Sequence, residues 1–220
     1  MKTFLLTTMT VVFLLCFTIE IQAQTNQTQT NQVVIGSKDI IYSKILNEQR
    51  KIWVYVPSSP SDTVFFKQSY RYPVIYLLDA EWNFSSVASM IERLNSGYFS
   101  VCPEMIVVGI PNTDRTRDLT PTHIDSDLEL DKNSGGGEKF ISFIEKELMP
   151  HIDSLYPTAP YRMFIGTSFG GLTVMNTLIH HTNLFNAYIA IEPTMYWDNQ
   201  KLFKEAKTSL GIIDNIFFVL

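Results

Sequence analysis

The sequence predicts an α/β fold: a mostly parallel sheet with helices on both faces and an antiparallel hairpin at its N-terminal end. Three observations predict it. Apolar runs of strand length alternate with amphipathic runs of helix length from residue 73 to residue 207, the pattern of helices crossing over a parallel sheet. Ahead of them, two β-rich runs at residues 39–46 and 50–56 are separated only by the polar Asn47-Glu48-Gln49, a hairpin spacing. Finally, Gly166-Thr167-Ser168-Phe169-Gly170 lies between an apolar run and an amphipathic one, which places these five residues on a strand-to-helix turn.

Each element follows from its own pattern. Residues 73–78 are almost continuously apolar, as a strand covered on both faces must be. Residues 84–94 read as a helix and residues 105–110 as the next strand. Residues 115–121 read as a long loop. Between residues 138 and 156 the apolar Ile141, Ile144, Leu148, Ile152 and Leu155 recur at spacings of 3, 4, 4 and 3, one face of a helix. Pro150 should kink it. Residues 161–165 form the strand before the glycine-flanked turn, and the helix after it runs to Ile179. A strand at 187–191, a short helix at 199–207 and a last strand at 216–220 complete the series.

The glycine-flanked serine is the most informative feature. In a sharp turn from strand to helix, Ser168 stands exposed, and side chains at the flanking positions would collide with backbone. The helix that follows points its free N–H groups and positive dipole end at whatever reacts there. This is the arrangement of a nucleophile elbow.

Four segments occur in a fixed order: Tyr76-Leu77-Leu78-Asp79-Ala80-Glu81, Gly109-Ile110-Pro111-Asn112, Arg115-Thr116-Arg117-Asp118-Leu119-Thr120-Pro121 and Gly166-Thr167-Ser168-Phe169-Gly170-Gly171. Together they resemble the esterase family of α/β hydrolases that includes esterase D-like, enterochelin-esterase-like and mycolyltransferase-like enzymes. The resemblance runs from Asp39 to the end. It implies the α/β-hydrolase fold and hydrolysis of a small-molecule or saccharide-linked ester through an acyl-enzyme on Ser168, with no cofactor. It also implies oxyanion donors in the backbone N–H groups of Phe169 and, from the loop after the third strand, Glu81. Two other classes stay open: an inactive hydrolase-fold binding protein and an acyltransferase that passes the acyl group to a hydroxyl.

Around that serine the other candidates divide. Asp79 reads as the turn residue closing a strand. Arg115 could hold a polar substrate group or pair with local carboxylates. Tyr196 and Trp197, after the strand at 187–191, could wall a substrate pocket or cap the core. Glu192 ends that strand at the edge where an acid can stand.

No histidine fits. His180 and His181 lie twelve and thirteen residues beyond Ser168, roughly 18 Å along a helix. His151 precedes the elbow; His123, on the Arg115 loop, is the one histidine near the expected site, but it comes in the wrong chain order for this fold. The expectation is therefore a fold whose C-terminal part, with the triad acid and histidine, is missing after Leu220.

The N-terminus reads separately. Lys2, an apolar stretch at residues 4–19 and Ile21-Gln22-Ala23 have the order of a cleavable signal peptide over residues 1–23. The protein is thus expected to be secreted or periplasmic, with no stable membrane insertion after cleavage. Residues 24–32 are a polar, low-complexity linker, which leaves 33–220 as the hydrolase domain. Processing removes Lys2 and Glu20 together, so the formal charge stays at −5. That gives no electrostatic footprint for nucleic acid. Cys102 is then the one remaining cysteine and reads as a packed core residue. No Cys/His cluster in the sequence has metal-ligand spacing.

Overall fold

The computed structural model describes residues 33–57, 70–96, 100–125, 128 and 132–209. The expected signal peptide at 1–23, the linker at 24–32 and the last strand at 216–220 lie outside the described residues.

Among the described residues, β1 (Ser37–Ser43), β2 (Glu48–Tyr55), β3 (Tyr72–Leu78), β4 (Ile106–Ile110), β5 (Thr158–Thr167) and β6 (Ala187–Ile191) form one sheet in the order β1-β2-β4-β3-β5-β6. The hairpin is antiparallel, Ile40 facing Lys51, and β2 runs antiparallel to β4. From β4 across to β6 every neighbour is parallel.

The near-continuous apolar character of β3 has its expected cause. Val74, Tyr76 and Leu78 point to one face, and Ile75 and Leu77 to the other, all of them buried. On the first face they meet Phe140, Phe143, Ile144, Leu148 and Ile152; on the second they meet Ala80, Phe84, Ala88 and Ile91. That second set belongs to α1 (Ala80–Asn95), which begins four residues earlier than its apolar periodicity alone indicates. The first turn, Ala80-Glu81-Trp82, holds two exposed side chains and so carries little periodic signal.

Two further segments differ from expectation. The stretch read as a loop contains a short helix, α2 (Arg115–Leu119), whose N-cap Asp114 accepts the Arg117 N–H at 3.0 Å. The helix expected over 138–156 is three segments: α3 (Gly137–Phe143), a π-turn (Ile144–Leu148) and α4 (Met149–Leu155). Pro150 has no N–H and its ring crowds the carbonyl four residues back. The irregularity falls upstream of the proline, where the Met149 N–H bonds to the Ile144 carbonyl, and Pro150 stands in the opening turn of α4.

The π-turn also aims Glu147 at the hairpin. Its carboxylate accepts the Ser43 hydroxyl at 2.5 Å and the Lys44 N–H at 2.9 Å. After β5 come α5 (Phe169–His180) and, beyond β6, α6 (Trp197–Ser209). Leu172, Met175 and Leu178 of α5 pack against Trp197 and Leu202 of α6.

Candidate active site

The adjacent parallel strands β3, β5 and β6 end at one edge of the sheet. Each is followed by a single non-glycine residue in the left-handed region: Asp79 (φ 53°), Ser168 (φ 56°) and Glu192 (φ 44°). A positive φ in a residue that carries a side chain costs about 1–3 kcal/mol. Backbone held in this way clusters at functional sites.

Ser168 alone makes the turn between β5 and α5, with ψ −116°. Its side chain is exposed. The backbone around it is pinned: its N–H donates to the Ile191 carbonyl at 3.0 Å, and its carbonyl accepts from Leu172 at 2.9 Å and Thr194 at 3.2 Å. The flanking glycines are required by contact. A Cβ on Gly166 would collide with the Gly170 backbone, and one on Gly170 would stand 3.0 Å from the Asp79 carboxylate. Phe169 opens α5 and Glu81 lies in the first turn of α1, where backbone N–H groups have no intrahelical acceptor.

Asp79 does close its strand, and it does more. Buried at 2 % exposure, its carboxylate accepts two hydrogen bonds from Arg115, at 2.7 Å (Nε) and 3.0 Å (Nη2), and one from Asn112 Nδ2 at 2.7 Å. The Arg115 guanidinium carbon also lies 5.5 Å from the Trp82 ring centroid and 5.3 Å from that of Phe169. Arg115 therefore takes the local-pairing alternative, with the carboxylate at the end of the neighbouring strand β3 and not with Asp114 or Asp118.

The short helix α2 that carries Arg115 is fastened from below. Asp118 is buried and accepts from Arg50 Nη1 at 2.5 Å and from Arg117 Nε at 2.7 Å. Arg117 in turn grips Glu48 with two nitrogens, at 3.0 and 2.7 Å. This hydrogen bonding holds the Glu48 carboxyl below its usual range and pushes the Arg117 guanidinium further up. Arg50 is 1 % exposed and lies 5.2 Å from the Phe140 ring. Charges this deeply placed persist because they are paired and hydrogen-bonded.

The remaining candidates separate. Trp197 is buried, stacks edge-on against Phe169 at 5.2 Å and donates its indole N–H to the Thr122 carbonyl at 3.1 Å. Of its two alternatives it takes the core. Tyr196 beside it is 75 % exposed. Glu192 is exposed at the end of β6, and no described histidine hydrogen-bonds to it. Cys102 is half-buried against the Met105 side of the core, and burial pushes its thiol pKa up.

All four histidines are engaged elsewhere. His123 Nδ1 bonds to Ser134 at 3.1 Å, His151 to Asp39 at 2.6 Å, His180 to Glu205 at 3.1 Å and His181 to Glu138 at 2.9 Å. The hydroxyl of Ser168 instead meets that of Thr194, at 3.3 Å. Thr194 and Asn112 are the two site residues that the sequence did not single out. Asn112 lies in the segment 109–112 at the carboxyl end of a strand, its one available signal. Thr194 had none.

A family model described as "Putative esterase" matches residues 43–213. The chain belongs to this esterase family. It is 30 % identical to the ferri-bacillibactin esterase BesA of Bacillus subtilis, covering 83 % of this chain and 67 % of that protein. It is 26 % identical to the siderophore enterobactin esterase of Emericella nidulans, over 60 % of this chain and 50 % of the relative. Among solved structures, an IroE-like serine hydrolase from Shewanella oneidensis superposes with a TM-score of 0.74 at 32 % identity. That match covers 80 % of this chain and 56 % of the other. The chain thus spans between half and two thirds of the length of these relatives. The esterase family's α/β-hydrolase fold accounts for the mixed sheet and for the placement of Ser168 at its carboxyl edge.

Proposed function

We propose that this chain is a serine carboxylic-ester hydrolase that acts through an acyl-enzyme on Ser168, and that its substrates are siderophore esters. The single observation that carries the reading is the elbow. Ser168 stands alone at φ 56°, exposed, at the N-terminus of a twelve-residue helix. The Ser168 hydroxyl attacks the ester carbonyl carbon, its proton passes to a base, and the alkoxide leaves as an alcohol. Water then cleaves the acyl-serine to release the acid. The N–H groups of Phe169 and Glu81 act as oxyanion donors. A missing donor of this kind costs about 10²–10³ in rate.

The substrate class follows from the relatives, which are named for siderophore ester hydrolysis. Exposed Trp82 and Tyr196 offer aromatic surface for such a ligand. Each of the four histidines hydrogen-bonds to a partner other than Ser168. That same observation favours one second reading, a cleft that binds esters without turning them over.

Incubation with enterobactin, with and without added imidazole, separates the two. Release of linear acid products, faster with imidazole and absent in Ser168→Ala, supports hydrolysis. Retention of intact ligand with measurable affinity and no products supports binding alone.

A further inference from the structure

We propose that Thr194 is a positioning residue for Ser168, holding the nucleophile's Oγ in one rotamer at the mouth of the site. The inference deepens the serine-hydrolase reading and rests on it for its catalytic consequence, but not for its geometry. The Thr194 hydroxyl lies 3.3 Å from Ser168 Oγ. Among the described residues it is the one side chain with a hydrogen bond to that oxygen.

Thr194 is itself tightly placed. It is 4 % exposed, its N–H donates to the Ser168 carbonyl at 3.2 Å, and its carbonyl accepts from the Trp197 N–H at 3.1 Å. The segment that carries it is wedged against the elbow: a Cβ on Gly171 would stand 3.0 Å from both the Ile191 carbonyl oxygen and Pro193 Cα. A threonine is β-branched and stiff at χ1, so its hydroxyl is a fixed point and not a second mobile group. An exposed serine on a strained turn has little else to choose its rotamer. Backbone contacts fix where its Cα is, and the Thr194 hydroxyl fixes where its oxygen is.

The two hydroxyls also set a proton pattern. When Ser168 donates to Thr194, its proton points into buried polar structure, away from a base arriving from solvent. When Thr194 donates, Ser168 Oγ keeps its proton free for that base. The second arrangement is the productive one. The hydrogen bond then favours attack by holding Oγ in place with its proton available to the base.

Two variants test this on the chain as it stands. Thr194→Val keeps the shape and removes the hydroxyl; Thr194→Ser restores a hydroxyl on a less rigid side chain. Room-temperature crystal structures are expected to show one Ser168 rotamer in the wild type, several in Thr194→Val and one predominating in Thr194→Ser. Fluorophosphonate labelling of Ser168 is expected to slow by about three- to tenfold in Thr194→Val, as loss of one net hydrogen bond implies. It should recover in Thr194→Ser, with unchanged melting temperatures.

A single Ser168 rotamer retained in Thr194→Val, or a wild-type Oγ turned away from Thr194, overturns the inference. Absence of wild-type labelling contradicts the serine-hydrolase reading instead, and the rotamer comparison still decides the inference.

Discussion

Asp79 and Arg115 lock the mouth of the site to the sheet: a carboxylate at 2 % exposure takes two hydrogen bonds from one guanidinium, at 2.7 and 3.0 Å. The pair spans 36 residues of sequence and joins the end of β3 to the start of α2. Its two members are unequally placed, since the Arg115 side chain keeps 27 % of its exposure while Asp79 has almost none.

That asymmetry gives the first prediction. Arg115→Met leaves a buried carboxylate held by Asn112 alone, and should cost about 3–5 kcal/mol in chemical denaturation. Asp79→Asn leaves a guanidinium that can turn to water, and should cost less. Equal losses would show that Arg115 is not what satisfies Asp79.

The second concerns acid. The Arg117 hydrogen bonds hold the Glu48 carboxyl below its usual range, burial opposes them, and the Arg50 hydrogen bond adds to the lowering. A carboxyl lowered on folding contributes stability above its unfolded pKa and loses it as pH falls through the folded value. Stability should therefore drop on acidification below the ordinary carboxylate range, and Glu48→Gln should flatten that part of the profile. An unchanged profile in Glu48→Gln would contradict the linkage.

Export provides the third. On the reading of residues 1–23 as a signal peptide, mass spectrometry of material recovered outside the cytoplasm should find Gln24, or its cyclised form, at the N-terminus. An intact Met1 in membrane fractions would instead support an uncleaved anchor.

Much of this architecture was legible because its causes are local. The apolar run of β3, the alternating spacing of α3 and α4 and the glycines of the elbow each carry their reason within a few residues. What was not legible depends on pairing across long separations. Asp79 looked like a turn residue because Arg115 and Asn112 reach it from more than thirty positions away. Residues 115–119 looked like loop because the helix is too short for periodicity, and ion pairs to Arg50 and Glu48 hold it. Trp197 could wall a pocket or cap the core until Phe169 and Thr122 were seen to enclose it. Thr194 needed the tertiary structure, since nothing in its sequence neighbourhood marks a hydroxyl that faces Ser168.

The central claim is that Ser168 is the nucleophile. Prolonged exposure of the 220-residue chain to a fluorophosphonate, followed by peptide mass spectrometry, tests it most directly. A serine to which no described histidine is hydrogen-bonded reacts slowly, so labelling should be slow, confined to Ser168, faster with added imidazole and abolished in Ser168→Ala. Labelling at another serine, or adducts that persist unchanged in Ser168→Ala, would contradict the assignment.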